Sequence, residues 1–273
     1  MDENRHYPNI SQAIGLVILF FGLMLLLAIP LGILDHFVDF SLAAHPATLA
    51  VINLVVVGPI LIIGLKRTKA PFSEVYPLVP IRPSLLLPMA IMIVGTSILL
   101  SEMDNLLRIF LPAPPWFTEA FMDLTQAQTS LWGSIAALVV VAPLTEELLF
   151  RGLILRGFCS HYSVQKAVVG SAILFGLIHL NPWQFIGATI LGILFAWWFI
   201  ETRSLLPSLF GHALANALPL VFGAVFHLEI QGYTSEFSPD MTEFQPLWFD
   251  LIGLLLTGLG GWSLIQAFQN TES

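Results

Sequence analysis

Charge and cysteine are what this chain of 273 residues has least of. Only 10% of its residues are Asp, Glu, Lys or Arg, where a soluble domain carries about a quarter. The one cysteine, Cys159, excludes an intrachain disulfide and any multi-cysteine metal site. Beside "RGF" at the end of an apolar run, that thiol reads as inert rather than as a nucleophile. Basic residues are outnumbered, 10 Lys and Arg against 18 Asp and Glu, for a net charge of −8. A basic stripe with interleaved aromatics is missing, so no nucleic-acid partner is expected. There is no G-x-S-x-G elbow and no H-E-x-x-H zinc helix. Tandem repeats, low-complexity tracts and a polar soluble domain are absent too, so residues 1–273 read as a single domain.

Apolar residues are what the chain does have, 56% of it, with a mean hydropathy of +0.84. About twenty apolar residues suffice to cross a bilayer, and eight such runs can be marked: 10–34, 46–65, 84–101, 131–158, 164–181, 184–200, 204–228 and 247–268. The first is too long for the core of a cleaved signal and is expected to be a retained span. The fold class expected is therefore all-α: a polytopic bundle of about eight transmembrane helices, in the plasma (inner) membrane. Basic residues cluster after the second run (Lys66, Arg67, Lys69, Arg82), around 151–166 (Arg151, Arg156, Lys166) and at Arg203. Loop 35–45 has no Lys or Arg, and loop 229–246 is acidic through Glu229, Glu236, Asp240 and Glu243. The positive-inside rule then puts both termini in the cytoplasm, with Arg108 alone on the other side. Between runs three and four, Asn105–Leu111 is expected to form a short amphipathic surface helix, ended by Pro112, Pro114 and Pro115.

Three of the runs contain groups that a lipid-facing helix does not tolerate. Two glutamates and an arginine lie in "APLTEELLFRG" (Glu146, Glu147, Arg151), His179 in "FGLIHLNP", and His212 and Asn216 in "GHALANA". An ionised side chain at mid-bilayer costs about 2.5–3.5 kcal/mol on insertion scales. Glu147 and Arg151 are four apart, on one helix face and close enough to pair; His212 and Asn216 also share a face. At ~1.5 Å per residue, Glu146 and His179 lie about 21 and 28 Å from a hairpin turn near Ser160, and His212 about 12 Å beyond Ser204. All could meet in the inner half of the membrane. His6, His36, His45, His161 and His227 fall at span ends or in loops and are expected on solvated surface; Phe175 is expected to pack on the face of His179. A carboxylate taken out of water becomes a stronger base. A neighbouring imidazole can orient the water it activates, and a second imidazole with an amide can donate to a developing oxyanion. Together these groups describe amide hydrolysis. A proton- or ion-coupled transporter could use the same polar set, but no pair of Gly- or Pro-broken repeat helices accompanies it.

"EELLFR", "FGLIH" and "HALAN" fit the motifs E-E-x-x-x-R, F-x-x-x-H and H-x-x-x-N in order on successive spans. In this the chain resembles the CPBP family of intramembrane proteases, which includes type II CAAX prenyl endopeptidases and bacterial bacteriocin-processing and Abi proteins. The resemblance covers residues 146–216, within a motif core of about 131–228. It implies an intramembrane endopeptidase, CAAX-protease-like and glutamate-dependent. Glu146 would activate the water with help from His179, His212 and Asn216 would form the oxyanion hole, and Glu147 and Arg151 would hold the site together, with Glu147 a second candidate for the base. It further implies a peptide or protein substrate at the bilayer, lipidated tails included. No cofactor is expected; the alternative is Zn²⁺ on Glu146, Glu147, His179 and His212. A non-catalytic scaffold or bacteriocin-immunity protein of the same fold is the alternative function.

Overall fold

A computed structural model of the chain describes residues 6–37, 42–125, 129–226, 228–234 and 243–270. Helices stand at all eight expected positions, with one more between the third and fourth. In chain order they are α1 (Ile10–Asp35), α2 (Pro46–Thr68), α3 (Leu86–Phe110), α4 (Pro115–Thr125), α5 (131–161), α6 (Val164–Leu177), α7 (Pro182–Thr202), α8 (206–225, π-helical over Leu220–Val225) and α9 (Leu247–Gln269). No strand occurs among the described residues, and the protein is an all-α, polytopic membrane protein. Six of the described helices are long and apolar enough to cross a bilayer: α1, α2, α3, α7, α8 and α9. The other two expected spans differ in kind. Helix α5 is a continuous helical path containing two π-helical stretches, Ile135–Val141 and Leu148–Leu155. Helix α6 has 14 residues, about 21 Å at helical rise and shorter than a ~30 Å hydrocarbon core.

Two expectations need correction. Residues 105–110 are not a separate surface helix but the last turns of α3, where Asp104 and Arg108 pair across one turn at 2.6 Å. That i,i+4 pair lets the helix continue past the apolar run. The proline-rich stretch then opens α4, whose first residue is Pro115, because proline fits a first turn that has no use for its missing N–H. Acidic Glu236 and Asp240 of loop 229–246, together with His227, lie outside the described residues. Of the other peripheral histidines, His45 caps α2 by accepting from the Ala47 N–H, and His161 contacts the backbone of His6.

The apolar side chains sort into two clusters. One joins α1, α2, the second half of α5 and α6, through Phe20, Val56, Ile60, Phe150, Ile154 and Phe175. The other joins α3, α7, α8 and α9, through Met89, Ile93, Phe195, Trp198, Leu218 and Leu264. Helices α3 and α9 lie so close that a Cβ on Gly95 would come within 2.5 Å of the Thr257 nitrogen and 2.6 Å of the Gly253 oxygen. Backbone cannot step aside as a flexible side chain can. Gly95→Ala is therefore expected to destabilise the protein by about 1–3 kcal/mol, the usual cost of overpacking, seen as a lower melting temperature in detergent. An unchanged melting temperature would contradict this close packing.

The segment between α2 and α3 places α8. Its one-turn helix Phe72–Val75 is tied to α5 through a Glu74–Arg156 ion pair. Beyond it, the Pro77 carbonyl accepts from the Leu205 N–H (2.8 Å) and the Val79 carbonyl from the Ser204 hydroxyl (2.7 Å). Ser204 and Leu205 are fully buried as a result. Helix α8 thus starts beneath a covering segment rather than at the surface.

Candidate active site

Both glutamates sit in Ala142–Glu147, a short α-helical stretch of α5 between its two π-helical stretches. A π turn widens the helix and shifts which faces its side chains occupy, and such turns recur at functional sites. At about 100° per residue, three consecutive side chains face different neighbours. Thr145 turns to α2, where its hydroxyl donates to Asn53 Oδ1 at 2.6 Å. Glu147 turns to α8, where its Oε1 meets His212 Nδ1 at 2.9 Å. Glu146 lies between them, its Oε2 at 3.8 Å from His212 Nε2.

Glu147 is fully occupied on one oxygen. Its side chain is 0% exposed, and Oε1 accepts from Arg151 Nη1 at 2.8 Å as well as from His212. An ionised carboxylate only accepts hydrogen bonds, so Nδ1 of His212 carries a proton, and Nε2 is turned to Glu146. Arg151, 2% exposed, spends its other arm, Nη2, on the Gly192 carbonyl of α7 at 3.1 Å. Its guanidinium lies 4.5 Å from the Phe175 ring centroid and 5.4 Å from that of Phe195. Those rings belong to the two apolar clusters, so the arginine sits on the seam between them. A planar, weakly hydrated cation suits that place. Glu146 is the more accessible carboxylate, with 15% of its side chain exposed, and its shielded Oε2 has no hydrogen-bond partner.

His212 stacks on Phe195 at 5.5 Å and 21°. This approach of α8 to α7 depends on Gly211, where a Cβ would strike Trp198 at 2.5 Å and Phe195 at 2.9 Å. Four residues on, Asn216 donates from Nδ2 to the Leu138 carbonyl at 2.9 Å, inside the first π-helical stretch of α5. One of its two N–H groups remains for another acceptor.

His179 is not within a helix, as the apolar run suggested, but in the turn just after α6 ends at Leu177. That turn explains "HLNP". Leu180 takes the left-handed conformation (φ 53°), Asn181 caps α7 by accepting from the Gln184 N–H at 2.8 Å, and Pro182 opens the helix. The Asn181 amide also donates to the His179 carbonyl at 2.9 Å, holding the turn. The ring of His179 lies edge-on to Phe175 at 5.5 Å, and His212 lies edge-on to the same ring at 5.7 Å.

The structure thus brings Glu146, Glu147, Arg151 and His212 into one polar group. His179 is one ring away, across Phe175, and Asn216 reaches the group through the backbone of α5. Phe175 was expected to pack, and it does, but as the shared wall of two imidazoles. Phe195, Gly192, Asn53 and Thr145 were not anticipated. Among them only Asn53 had a visible signal, as a lone amide in an apolar span. Among the described residues no three His, Cys, Asp or Glu side chains form a group placed to hold a metal ion.

Fold and site together define a multi-pass membrane protein with an acid–imidazole site buried among its helices. Residues 128–218 match a family model described as "Type II CAAX prenyl endopeptidase Rce1-like". A curated Bacillus subtilis (strain 168) protein named "Putative membrane peptidase YdiL" is 26% identical over 125 residues, 45% of this chain and 48% of that protein. The chain therefore spans about half the length of that relative. No solved structure matches the chain. The family-model match, residues 128–218, covers the region that holds all three motifs, and both matches are in keeping with the resemblance to the CPBP family.

Proposed function

We propose that the protein is an intramembrane endopeptidase that hydrolyses a peptide bond with a water activated by Glu146. The family match and the similarity to a protein named as a membrane peptidase support a protease type of function. The observation that carries the reading is the division of labour between the two glutamates. Each carboxylate has one oxygen without a hydrogen-bond partner, but Glu147 is fully buried and locked by Arg151 and His212, whereas Glu146 comes no nearer than 3.8 Å to His212 and keeps 15% of its side chain exposed. A base must be free to take a proton.

In this reading Glu146 takes a proton from water, and the resulting hydroxide attacks the carbonyl carbon of the scissile bond. The tetrahedral oxyanion accepts hydrogen bonds from the second N–H of Asn216 and from His212. With Nδ1–H committed to Glu147, His212 donates from Nε2 as the imidazolium. Before the transfer Glu146, Glu147, Arg151 and His212 sum to zero charge; once Glu146 holds the proton, their net positive charge balances the oxyanion. Collapse breaks the C–N bond, and the leaving amine takes the proton held by Glu146. His179 orients the water, while Glu147 and Arg151 position His212. No step in this reading uses a metal ion. The substrate is a peptide or protein at the membrane, with or without a lipidated tail. The site opens toward the cytoplasm, where both termini lie, and the membrane is the plasma (inner) membrane.

Comparing the membrane proteomes of cells that make the protein or its Glu146→Ala variant tests the reading. New peptide termini are expected with the wild-type protein and none with the variant. Identical sets of termini would overturn it in favour of a non-catalytic scaffold or immunity protein.

A further inference from the structure

Asn53 is the one amide or charged side chain of α2 between Thr48 and Lys66. An amide in an apolar span is costly unless it is used. Its Oδ1 accepts from the hydroxyl of Thr145, which is buried and immediately precedes Glu146. The same hydroxyl lies 2.7 Å from the Val141 carbonyl and 3.2 Å from that of Ala142. Those carbonyls mark the junction where the π-helical stretch Ile135–Val141 gives way to the α-helical stretch holding both glutamates. At this junction the Ala142 N–H still donates five residues back, to Ala137. The rotation of everything after it depends on where the wide turn ends.

Glu146 is thereby clamped from two sides. On one side, Glu147 is held by Arg151 and His212. On the other, Thr145 is held by Asn53 from a different helix. We infer that Asn53 is a positioning residue for Glu146: acting through the Thr145 hydroxyl, it fixes the π-to-α junction of α5 so that the Glu146 carboxylate faces His212. The inference rests on the proposed peptidase reading and deepens it. A bond that served only to hold α2 against α5 would alter stability and leave the rate per folded molecule unchanged. A bond that sets the direction of a base alters the rate, because misplacement by about 1 Å can cost on the order of a hundredfold.

The test uses the full chain in cells, reading the rate at which new membrane-protein termini appear per folded molecule, with melting curves of the purified proteins alongside. Thr145→Val keeps the shape and removes the hydroxyl; Asn53→Leu removes the partner. Each is expected to slow cleavage about tenfold or more with little change in melting. The double variant should be no slower than the slower single, because both break one link, and Thr145→Ser should restore the rate. An unchanged rate in Thr145→Val or Asn53→Leu, losses that multiply in the double variant, or a Thr145→Ser protein as slow as Thr145→Val would each overturn the inference. Glu146→Gln separates the two levels. If it cleaves like the wild type, or the wild type makes no new termini, the peptidase reading falls and this inference with it. If it is inactive while Thr145→Val runs at full speed, the inference alone falls.

Discussion

Replacing Arg151 with methionine is expected to destabilise the protein by about 3–5 kcal/mol, the cost of leaving one member of a buried ion pair without its partner. Glu147, 0% exposed, would keep only His212 against its charge, and the Gly192 carbonyl would lose its donor. The seam between Phe175 and Phe195 would lose the planar group that fills it. Arg151→Lys should recover only part of the loss, because an ammonium has no fork to bridge Glu147 and Gly192 and does not lie flat between two rings. The pair Glu147→Gln with Arg151→Met is the informative control. It removes both charges, so most of the stability should return, yet cleavage should not, because His212 would lose its anionic anchor. Melting curves in detergent read the first effect. An Arg151→Met protein that melts like the wild type would contradict this view of the seam.

The helices were legible because long apolar runs are a strong signal and their ends are marked by familiar residues. Asn9 and Gln12 form the capping box of α1, and Asn181 with Pro182 starts α7. The site was legible in part, through ionisable residues placed where lipid would reject them. Glu147–Arg151 could be paired from spacing alone. The pairing of Glu147 with His212 could not, because it depends on α8 starting beneath the segment between α2 and α3. The π-helical stretches left no mark in the pattern of apolar residues, since "LVVV" and "LLF" suit any helix. The Asn53–Thr145 bond joins residues 92 positions apart, and nothing in either neighbourhood names the other. The apolar flanks of His179 suggest a position inside a span, although "LNP" after it marks the end of α6.

The largest effect on activity is expected at Glu146. Glutamine keeps the size of the side chain and its hydrogen-bonding reach but cannot accept a proton from water. A general base contributes about 10²–10⁴-fold to rate, so Glu146→Gln should slow cleavage by that much. Its stability should change little, since Oε2 makes no hydrogen bond in the folded protein and the buried pair with Arg151 belongs to Glu147. His179→Ala should also slow cleavage while the protein stays folded. The most direct measurement is the rate at which purified Glu146→Gln protein cleaves a membrane-protein terminus produced by the wild type, beside its melting curve. The account predicts a rate at least about a hundredfold lower with the melting temperature retained; a rate within a factor of a few of the wild type would contradict it.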